Sequence, residues 1–179
     1  MPSDPKLIRL IISDLDGVWT DGRIIYSGET RETKEFNVRD GLGVKIAQAA
    51  GIEVAILTSR LSEAVERRCR ELGIDRVIQG AGSKGDAFRE ILESAGLPEA
   101  AVCYIGDDLP DLAPLSLAGL SAAPSDAVAE VLEIVDWPLE HAGGTGAFRE
   151  LVERLLRARG EWKAIVEGFN GAKIEHSGA

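Results

Sequence analysis

The chain has 179 residues, of which 45% are hydrophobic and 28% are charged, and its formal net charge is -10 at pH 7. This composition is typical of one soluble globular domain, and the excess of acidic residues argues against nucleic acid or an anionic membrane surface as a partner. The two cysteines lack metal-ligand spacing, no apolar stretch is long enough to span a bilayer, and the first residues lack a signal-peptide pattern, so we expect a cytoplasmic protein.

Short apolar runs alternate with helical patterns along the chain. The predicted strands cover residues 7–13, 53–57, 76–79, 102–106, 120–122 and 135–137. The predicted helices cover residues 42–50, 62–72, 84–94, 111–118, 126–134 and 147–159. Strands that are apolar throughout and separated by helices are typical of parallel pairing with both faces of the sheet covered. We therefore predict an α/β fold built on a doubly wound parallel sheet, with ligands binding beyond the carboxyl ends of the strands.

Two segments fall outside this alternation. Residues 23–26 and 34–38, joined through a turn at 27–29, predict a small β-hairpin inserted after the first strand. The hairpin is too short to form a cap domain over the site. Residues 160–179 show no clear periodicity, so we expect a single domain over residues 1–159 followed by a flexible C-terminal tail.

The most informative motif is Asp14-Leu-Asp16-Gly17, which directly follows the first apolar run. In an extended backbone positions i and i+2 point the same way, so both carboxylates can face one small site at the edge of the sheet. Two anions this close repel each other strongly unless a cation or a shared proton relieves them. The motif therefore indicates a site for a divalent cation and a phosphate.

Further polar residues follow the later strands. Thr58 comes after the second strand, Lys84 opens the helix after the third strand, and Asp107 with Asp108 comes after the fourth. Because the carboxyl ends of parallel strands share one edge of the sheet, we expect these side chains around one crevice. A nucleophile, a cation site and donors for phosphate oxygens are the parts that phosphoryl transfer requires.

These residues have complementary predicted roles in the hydrolysis of a phosphomonoester. Asp14 is the predicted nucleophile, which forms an aspartyl phosphate, and Asp16 is the predicted general acid and base. Thr58 and Lys84 would hold the phosphate. Mg²⁺ prefers oxygen ligands, and Asp14, Asp107 and the main-chain carbonyl of Asp16 would supply them.

Ordinary structural roles remain open for several of these residues. Thr58 is compatible with a turn or a helix cap, and Lys84 alone with an exposed surface position. Asp108 and Asp111 are compatible either with the first turn of a helix or with support of the site from behind. Only the combination, at successive strand ends, points to a site for phosphate and metal.

The order of these motifs resembles that of the haloacid dehalogenase superfamily, in which an Asp-x-Asp-Gly motif precedes a Ser or Thr, a Lys and an acidic pair. The segments Phe36-Asn37-Val38-Arg39-Asp40-Gly41 and Gly143-Gly144 resemble more closely the phosphatases of 3-deoxy-D-manno-octulosonate (KDO) 8-phosphate. This resemblance implies a capless Rossmann-like fold, Mg²⁺ as cofactor and a sugar acid phosphate as substrate. It also implies a homotetramer whose hairpins form a central barrel and whose neighbouring subunits help to close each site.

The resemblance extends to residues that contact the substrate. Arg60 follows the strand-terminal hydroxyl as in the octulosonate phosphatases, whereas phosphatases of nine-carbon sugar acids tend to carry a glutamate there. A guanidinium suits the carboxylate of a sugar acid, and Arg68 is a second candidate for this contact. With Thr58, Ser59 and Lys84, these arginines form the predicted substrate-binding set, although Ser59 stands where the family usually has glycine.

Three alternatives stay open at this stage. The first keeps the chemistry but changes the substrate to the 9-phosphate of a nine-carbon sugar acid. The second is a receiver domain of signalling proteins, in which the acidic pair instead precedes the phosphorylated aspartate. The third is a phosphatase-like binding module without turnover. The chain retains Asp16, an acid and base beside the nucleophile, which favours rapid hydrolysis over both non-enzymatic alternatives.

Overall fold

The computed structural model describes residues 2–28 and 31–171. Six parallel strands form the central sheet, namely β1 Leu10–Ser13, β4 Glu53–Leu57, β5 Arg76–Ile78, β6 Val102–Ile105, β7 Leu120–Ala123 and β8 Trp137–Pro138. Their order in the sheet is β5-β4-β1-β6-β7-β8. A separate antiparallel hairpin consists of β2 Ile25–Ser27 and β3 Arg31–Thr33. The predicted doubly wound parallel sheet with an inserted hairpin is thus confirmed.

Helices cover both faces of the sheet. Their bounds are α1 Val38–Ala49, α2 Glu63–Leu72, α3 Lys84–Ala95, α4 Leu112–Leu117, α5 Ala129–Leu132, α6 Ala147–Arg159 and α7 Trp162–Gly171. Side chains of α1, α2 and α6 form one apolar core with the sheet, and side chains of α3, α4 and α5 form the other. Within the described residues, no helix is both long and apolar enough to cross a bilayer.

The first strand is one of the two middle strands of the sheet, and all four of its residues are buried. Ile11 points into the core beneath α1 and α6, while Leu10 and Ile12 point into the opposite core. β1 pairs with β4 on one side and with β6 on the other. As a result, the residues just beyond β1 lie between the ends of two neighbouring strands.

Several element bounds differ from the sequence-based predictions. The first strand begins at Leu10 rather than at residue 7, because Asp4 accepts a hydrogen bond from the Lys6 amide and caps a short 3-10 turn. The helix predicted over 126–134 is confined to α5, and Asp126 instead accepts a hydrogen bond from the Gly143 amide.

The return strand of the hairpin also ends earlier than predicted. β3 stops at Thr33, and residues 34–38, which were predicted as a strand, lead into α1. The reason is local, since the side chain of Asn37 accepts a hydrogen bond from the Arg39 amide and caps the helix. α1 accordingly starts at Val38 instead of at residue 42.

The expectation of a flexible tail over residues 160–179 is wrong for residues 162–171, which form α7. The helix packs on α6 through Trp162, whose ring lies against the guanidinium groups of Arg149 and Arg157 at 5.3 and 5.2 Å. Such contacts between a cation and an aromatic face leave no repeated apolar pattern in the sequence. Residues 172–179 lie outside the described part of the chain.

Candidate active site

Three carboxylates meet at the carboxyl edge of the sheet. Asp14 directly follows β1, and its amide donates to the carbonyl of Ile105 at the end of β6 over 2.9 Å. One carboxylate oxygen each from Asp14, Asp107 and Asp111 lies within 4.8 Å of the others. The loop after β6 therefore brings its acids to the residue that was predicted as the nucleophile.

Lys84 reaches this acidic cluster from the start of α3. Its Nζ lies 2.9 Å from Asp14 Oδ1 and 2.7 Å from Asp111 Oδ1, and its side chain is only 5% exposed. The exposed surface position considered for Lys84 is thus wrong. A buried ammonium between two carboxylates is well placed to hold a bound phosphate as well.

Asp111 organises the cluster from behind. It is fully buried, and one oxygen accepts from Lys84 and from the Tyr104 hydroxyl, the latter over 2.6 Å. The other oxygen faces the amides of Asp107 and Asp108 at 3.2 and 3.4 Å. Both roles considered for Asp111 are therefore present, since it lies in the first turn after β6 and also fixes Lys84 and the acidic loop.

The electrostatics of the cluster favour a cation. Burial, reinforced by the nearby charges of Asp14 and Asp111, raises the pKa of Asp107 to about 8. Burial and the charge of Asp111 raise the pKa of Asp14 to about 6, although Lys84 opposes this shift. Asp107 Oδ1 is buried and has no hydrogen-bond partner among the residues described. Carboxylates in this state gain from a hard divalent cation, which would neutralise them and use the free oxygen.

Gly17 makes the close approach of the acidic loop possible. A Cβ at this position would lie 1.9 Å from Asp107 Oδ2, and the glycine has a φ of +87°. Any other residue would therefore push Asp107 away and also strain the backbone. The glycine of the Asp-x-Asp-Gly motif serves the geometry of the site directly.

Asp16 lies beside this cluster in a ring of charges that includes the hairpin. Its Oδ1 contacts Lys34 Nζ at 2.5 Å and the Thr20 hydroxyl at 3.3 Å. Lys34 also contacts Glu32 at 2.9 Å, and Glu32 accepts a hydrogen bond from Arg60 at 2.7 Å. The acid and base predicted from the motif is therefore paired with a lysine of the inserted segment.

The predicted substrate-binding residues lie in different surroundings. Thr58 is buried at the end of β4, and Ser59 beside it is exposed. Arg60 is half-buried, with Nε 3.8 Å from Asp16 Oδ2. Arg68 lies against Gly41 of α1 and pairs with Glu71, and no described ion pair or hydrogen bond connects it to the acidic cluster.

Comparisons with known proteins identify the family of this chain. Residues 38–119 match the family model of the haloacid dehalogenase-like hydrolases. The 3-deoxy-D-manno-octulosonate 8-phosphate phosphatase KdsC of Escherichia coli K12 is 44% identical over 154 residues, which cover 86% of this chain and 82% of the relative.

Solved structures point the same way. The crystal structure of a 3-deoxy-D-manno-octulosonate 8-phosphate phosphatase from Moraxella catarrhalis, in complex with a magnesium ion, a phosphate ion and KDO, has a TM-score of 0.90 and 38% identity, covering 93% of this chain and 95% of that chain. The cobalt-bound phosphatase from Haemophilus influenzae has a TM-score of 0.89 and 38% identity, covering 93% and 99%.

The chain belongs to the haloacid dehalogenase superfamily. Within the superfamily it groups with the phosphatases of the KDO 8-phosphate type, so the recognition made from the motifs is confirmed. The predicted Rossmann-like fold and the predicted class of enzyme, a phosphatase, are confirmed with it.

The segment Gly143-Gly144 packs against the loop of the Asp-x-Asp-Gly motif. A Cβ on Gly143 would lie 2.1 Å from the carbonyl oxygen of Gly17, and the Gly144 amide donates to the Val18 carbonyl at 3.0 Å. The side chain of Asn37 in turn donates to the Gly144 carbonyl at 3.1 Å. The segment before α6 is thus clamped between the loop that follows Asp16 and the start of α1.

Four polar residues near this site do not follow from the sequence motifs, namely Thr20, Glu32, Lys34 and Tyr104. One feature of the sequence points to the hairpin residues. The hairpin begins directly after the Asp-x-Asp-Gly loop, so its return strand must end near the same loop. A charged residue just after that strand is consequently a candidate for contact with the site.

Proposed function

We propose that this protein is a Mg²⁺-dependent phosphatase that hydrolyses KDO 8-phosphate through an aspartyl phosphate. The observation that carries the proposal is the convergence of Asp14, Lys84 and Asp107 at one point, with Asp16 beside them. Relatives that are 44% identical are named as KDO 8-phosphate phosphatases, and one solved relative contains magnesium, phosphate and KDO.

In the first half of the reaction, a carboxylate oxygen of Asp14 attacks phosphorus in line with the leaving oxygen. The bond from phosphorus to the sugar oxygen breaks, and Asp16 gives its proton to that oxygen. Lys84 donates hydrogen bonds to phosphate oxygens, as does the hydroxyl of Thr58. The products are a phosphorylated Asp14 and the free sugar acid.

In the second half, a water molecule attacks the aspartyl phosphate. Asp16, now a carboxylate, takes a proton from this water, and the acyl phosphate releases Asp14 and inorganic phosphate. The same side chain therefore acts first as an acid, which protonates the leaving oxygen, and then as a base, which deprotonates the attacking water. This second step distinguishes a phosphatase from a receiver domain, whose phosphoaspartate persists.

The buried acids fit Mg²⁺ because one oxygen of Asp107 has no hydrogen-bond partner within residues 2–28 and 31–171, and because both Asp14 and Asp107 have raised pKa values. Asp14, Asp107 and the main-chain carbonyl of Asp16 are the proposed ligands. When bound, the ion supplies charge that offsets the negative phosphate and its attacking carboxylate. Asp111 is a poorer ligand, since both of its oxygens already accept hydrogen bonds.

A groove of about 1040 Å³ leads from the hairpin to the start of α2, and its lining includes Glu32, Lys34 and Leu61. Because Glu32 and Lys34 also contact Arg60 and Asp16, the groove adjoins the predicted catalytic residues. In this proposal the sugar portion of the substrate occupies the groove, and its carboxylate pairs with Arg60, which contacts the lining residue Glu32. Arg68 faces α1 instead, so its predicted contact with the substrate rests on the family resemblance alone.

Phosphate release from a panel of sugar phosphates, with and without Mg²⁺, tests the proposal. We expect the highest kcat/KM for KDO 8-phosphate, above that for the 9-phosphate of a nine-carbon sugar acid. Asp14→Asn is expected to lower turnover by about 10³-fold or more, whereas Asp86→Asn, an exposed carboxylate in α3, serves as the matched control. Equal activity of Asp14→Asn, or a phosphoaspartate stable for minutes, would refute the proposed mechanism.

The proposal includes a homotetramer in the cytoplasm, with residues 1–159 forming a single catalytic domain. The hairpin supports the assembly because Ile24, Ile25 and Tyr26 expose apolar surface, with Tyr26 72% exposed. A partner subunit placed there would cover these residues and exclude water from a site that has no cap. Light scattering during size-exclusion chromatography measures the mass, and Tyr26→Asp is expected to reduce it, while a monomeric wild type would contradict the assembly.

A further inference from the structure

The two carboxylate oxygens of Asp16 have different surroundings. Oδ1 is engaged by the ammonium of Lys34 and by the hydroxyl of Thr20. Oδ2 is buried and has no hydrogen-bond partner among the residues that the structure describes, the nearest cation being the Nε of Arg60 at 3.8 Å. A buried carboxylate oxygen without a donor is costly unless another group uses it.

Lys34 is held firmly in place. Its side chain is only 1% exposed and lies between two carboxylates, those of Asp16 and Glu32. An ammonium tolerates such burial only when it is paired on several sides, so the position is specific to a cation. Lys34 comes directly after β3, which makes the inserted hairpin the element that delivers this charge to the site.

We propose that Lys34 is a positioning residue for the hydrolysis: by holding Oδ1 of Asp16, it presents Oδ2 to the leaving oxygen of the substrate. The proposal rests on the proposed phosphatase function. As the bond from phosphorus to the leaving oxygen breaks, the proton on Oδ2 of Asp16 passes to that oxygen. The electron pair of the broken bond stays with the leaving oxygen, and the carboxylate that remains on Asp16 is balanced by Lys34.

This role makes a prediction that a merely structural role does not make. A leaving oxygen needs the proton from Asp16 when the alcohol or phenol that is released is a weak acid. It departs without that proton when the released phenol is a stronger acid. Loss of Lys34 is therefore expected to slow the first kind of substrate more than the second. Substituted phenyl phosphates are suitable probes because they differ in the acidity of the phenol and little in size, so that contacts of Lys34 with a sugar do not enter.

The experiment measures kcat/KM for a series of substituted phenyl phosphates with Lys34→Met, Lys34→Arg and the wild type. We expect Lys34→Met to lose about 10-fold to 100-fold more on phenyl phosphate than on p-nitrophenyl phosphate. Lys34→Arg retains the cation and is expected to recover most of that difference. Lys45→Met is the matched control, since this lysine donates to the Leu72 carbonyl on α2 and makes no described contact with the site.

Equal losses across the series, or no loss with Lys34→Met, would overturn the role of Lys34. If Lys34→Met fails to fold, as judged by circular dichroism, the double variant Glu32→Gln with Lys34→Gln removes the cation and its counter-charge together and carries the same expectation. Failure of the proposed function gives a different result, namely no phosphate release by the wild type from any substrate in the presence of Mg²⁺.

Discussion

Asp40 offers a prediction that depends on burial rather than on catalysis. The residue lies in α1 and is only 1% exposed, and its Oδ1 accepts a hydrogen bond from the Arg149 amide at 2.9 Å. The residue before α6 is Gly146, which has no side chain to cap the helix, so Asp40 caps α6 from a different helix. Burial nevertheless raises the pKa of Asp40 from 3.8 to about 6, because desolvation outweighs the hydrogen bonds and the nearby His141 and Arg149.

The sign of the effect follows from the raised pKa. Below pH 3.8 the carboxyl of Asp40 is protonated in both states, and above that value the unfolded chain loses its proton first. The folded state therefore loses stability as the pH rises, until Asp40 ionises there too near pH 6. At about 1.4 kcal/mol for each pH unit, the full cost at neutral pH is about 3 kcal/mol.

Asp40→Asn removes this titration while an amide oxygen continues to cap α6. We expect the free energy of unfolding of the variant, relative to the wild type, to increase by about 1.5 kcal/mol between pH 5 and pH 8. The new amide N–H group lacks a described partner at the position of Oδ2, which costs about 1 to 3 kcal/mol at every pH and leaves the slope unchanged.

Urea unfolding of both proteins at several pH values measures this difference, starting at pH 5 because the isoelectric point is near 4.7. Asp75→Asn, a substitution on a loop residue between α2 and β5, controls for the general effect of removing a negative charge. A stability difference that stays constant from pH 5 to pH 8 would show that Asp40 keeps an ordinary pKa, and the reasoning from burial would be refuted.

Two further predictions concern the site, and a third concerns the core beneath it. Mg²⁺ is expected to raise the Tm, and to raise it more at pH 8 than at pH 6. The pKa of Asp107 is raised to about 8, so the ion competes with the proton on this carboxyl at the lower pH. Differential scanning fluorimetry measures the Tm, and an equal increase at both pH values would contradict the prediction. Gly17→Ala is expected to lower kcat/KM by at least about 100-fold, because the added Cβ displaces Asp107. Gly28→Ala is the matched control and is expected to retain activity, since Gly28 also has a positive φ but no described atom would lie within 4 Å of its Cβ. Equal losses in the two variants would disprove the steric cause. Trp19→Phe is expected to lower the free energy of unfolding by about 1 to 2 kcal/mol, because the indole N–H donates to the buried Ser13 hydroxyl at 2.9 Å. Urea unfolding measures this loss, and an unchanged stability would show that the hydrogen bond contributes nothing.

The parallel sheet was predictable because its main strands have an apolar pattern that is visible in the local sequence. β1 and β6 are continuous apolar runs, and burial on both faces is the only environment that suits them. α5 and β8 were harder to place because they are held by contacts between distant residues, such as the hydrogen bonds from Ser121 to Asp136. α7 was missed for the same reason, since its anchor Trp162 packs on arginines of α6.

The catalytic candidates on strand ends were predictable because topology alone brings them together. β1 is followed by Asp14, β6 is followed by the loop with Asp107, and α3 begins at Lys84. Parallel pairing of the strands places these three positions at one edge of the sheet. The contact of 2.9 Å between Lys84 and Asp14 agrees with that expectation, and the contact of 2.7 Å between Lys84 and Asp111 extends it. The position of Lys34 does not follow from the sheet topology, and the signal for it is the place of the hairpin in the sequence, directly after the Asp-x-Asp-Gly loop.

Three long-range contacts begin in the short stretch from Lys34 to Asp40. Lys34 contacts Asp16, Asn37 donates to the carbonyl of Gly144, and Asp40 accepts from the start of α6. The same stretch therefore contacts Asp16, the proposed acid and base, together with the glycine segment that packs on the loop after Asp16 and the helix that follows this segment. A capless phosphatase has no second domain to order its site, and here that order comes from the chain immediately after the hairpin. Lys34, Asn37 and Asp40 follow the hairpin directly, and substitutions at these positions are expected to affect catalysis even where they touch no substrate.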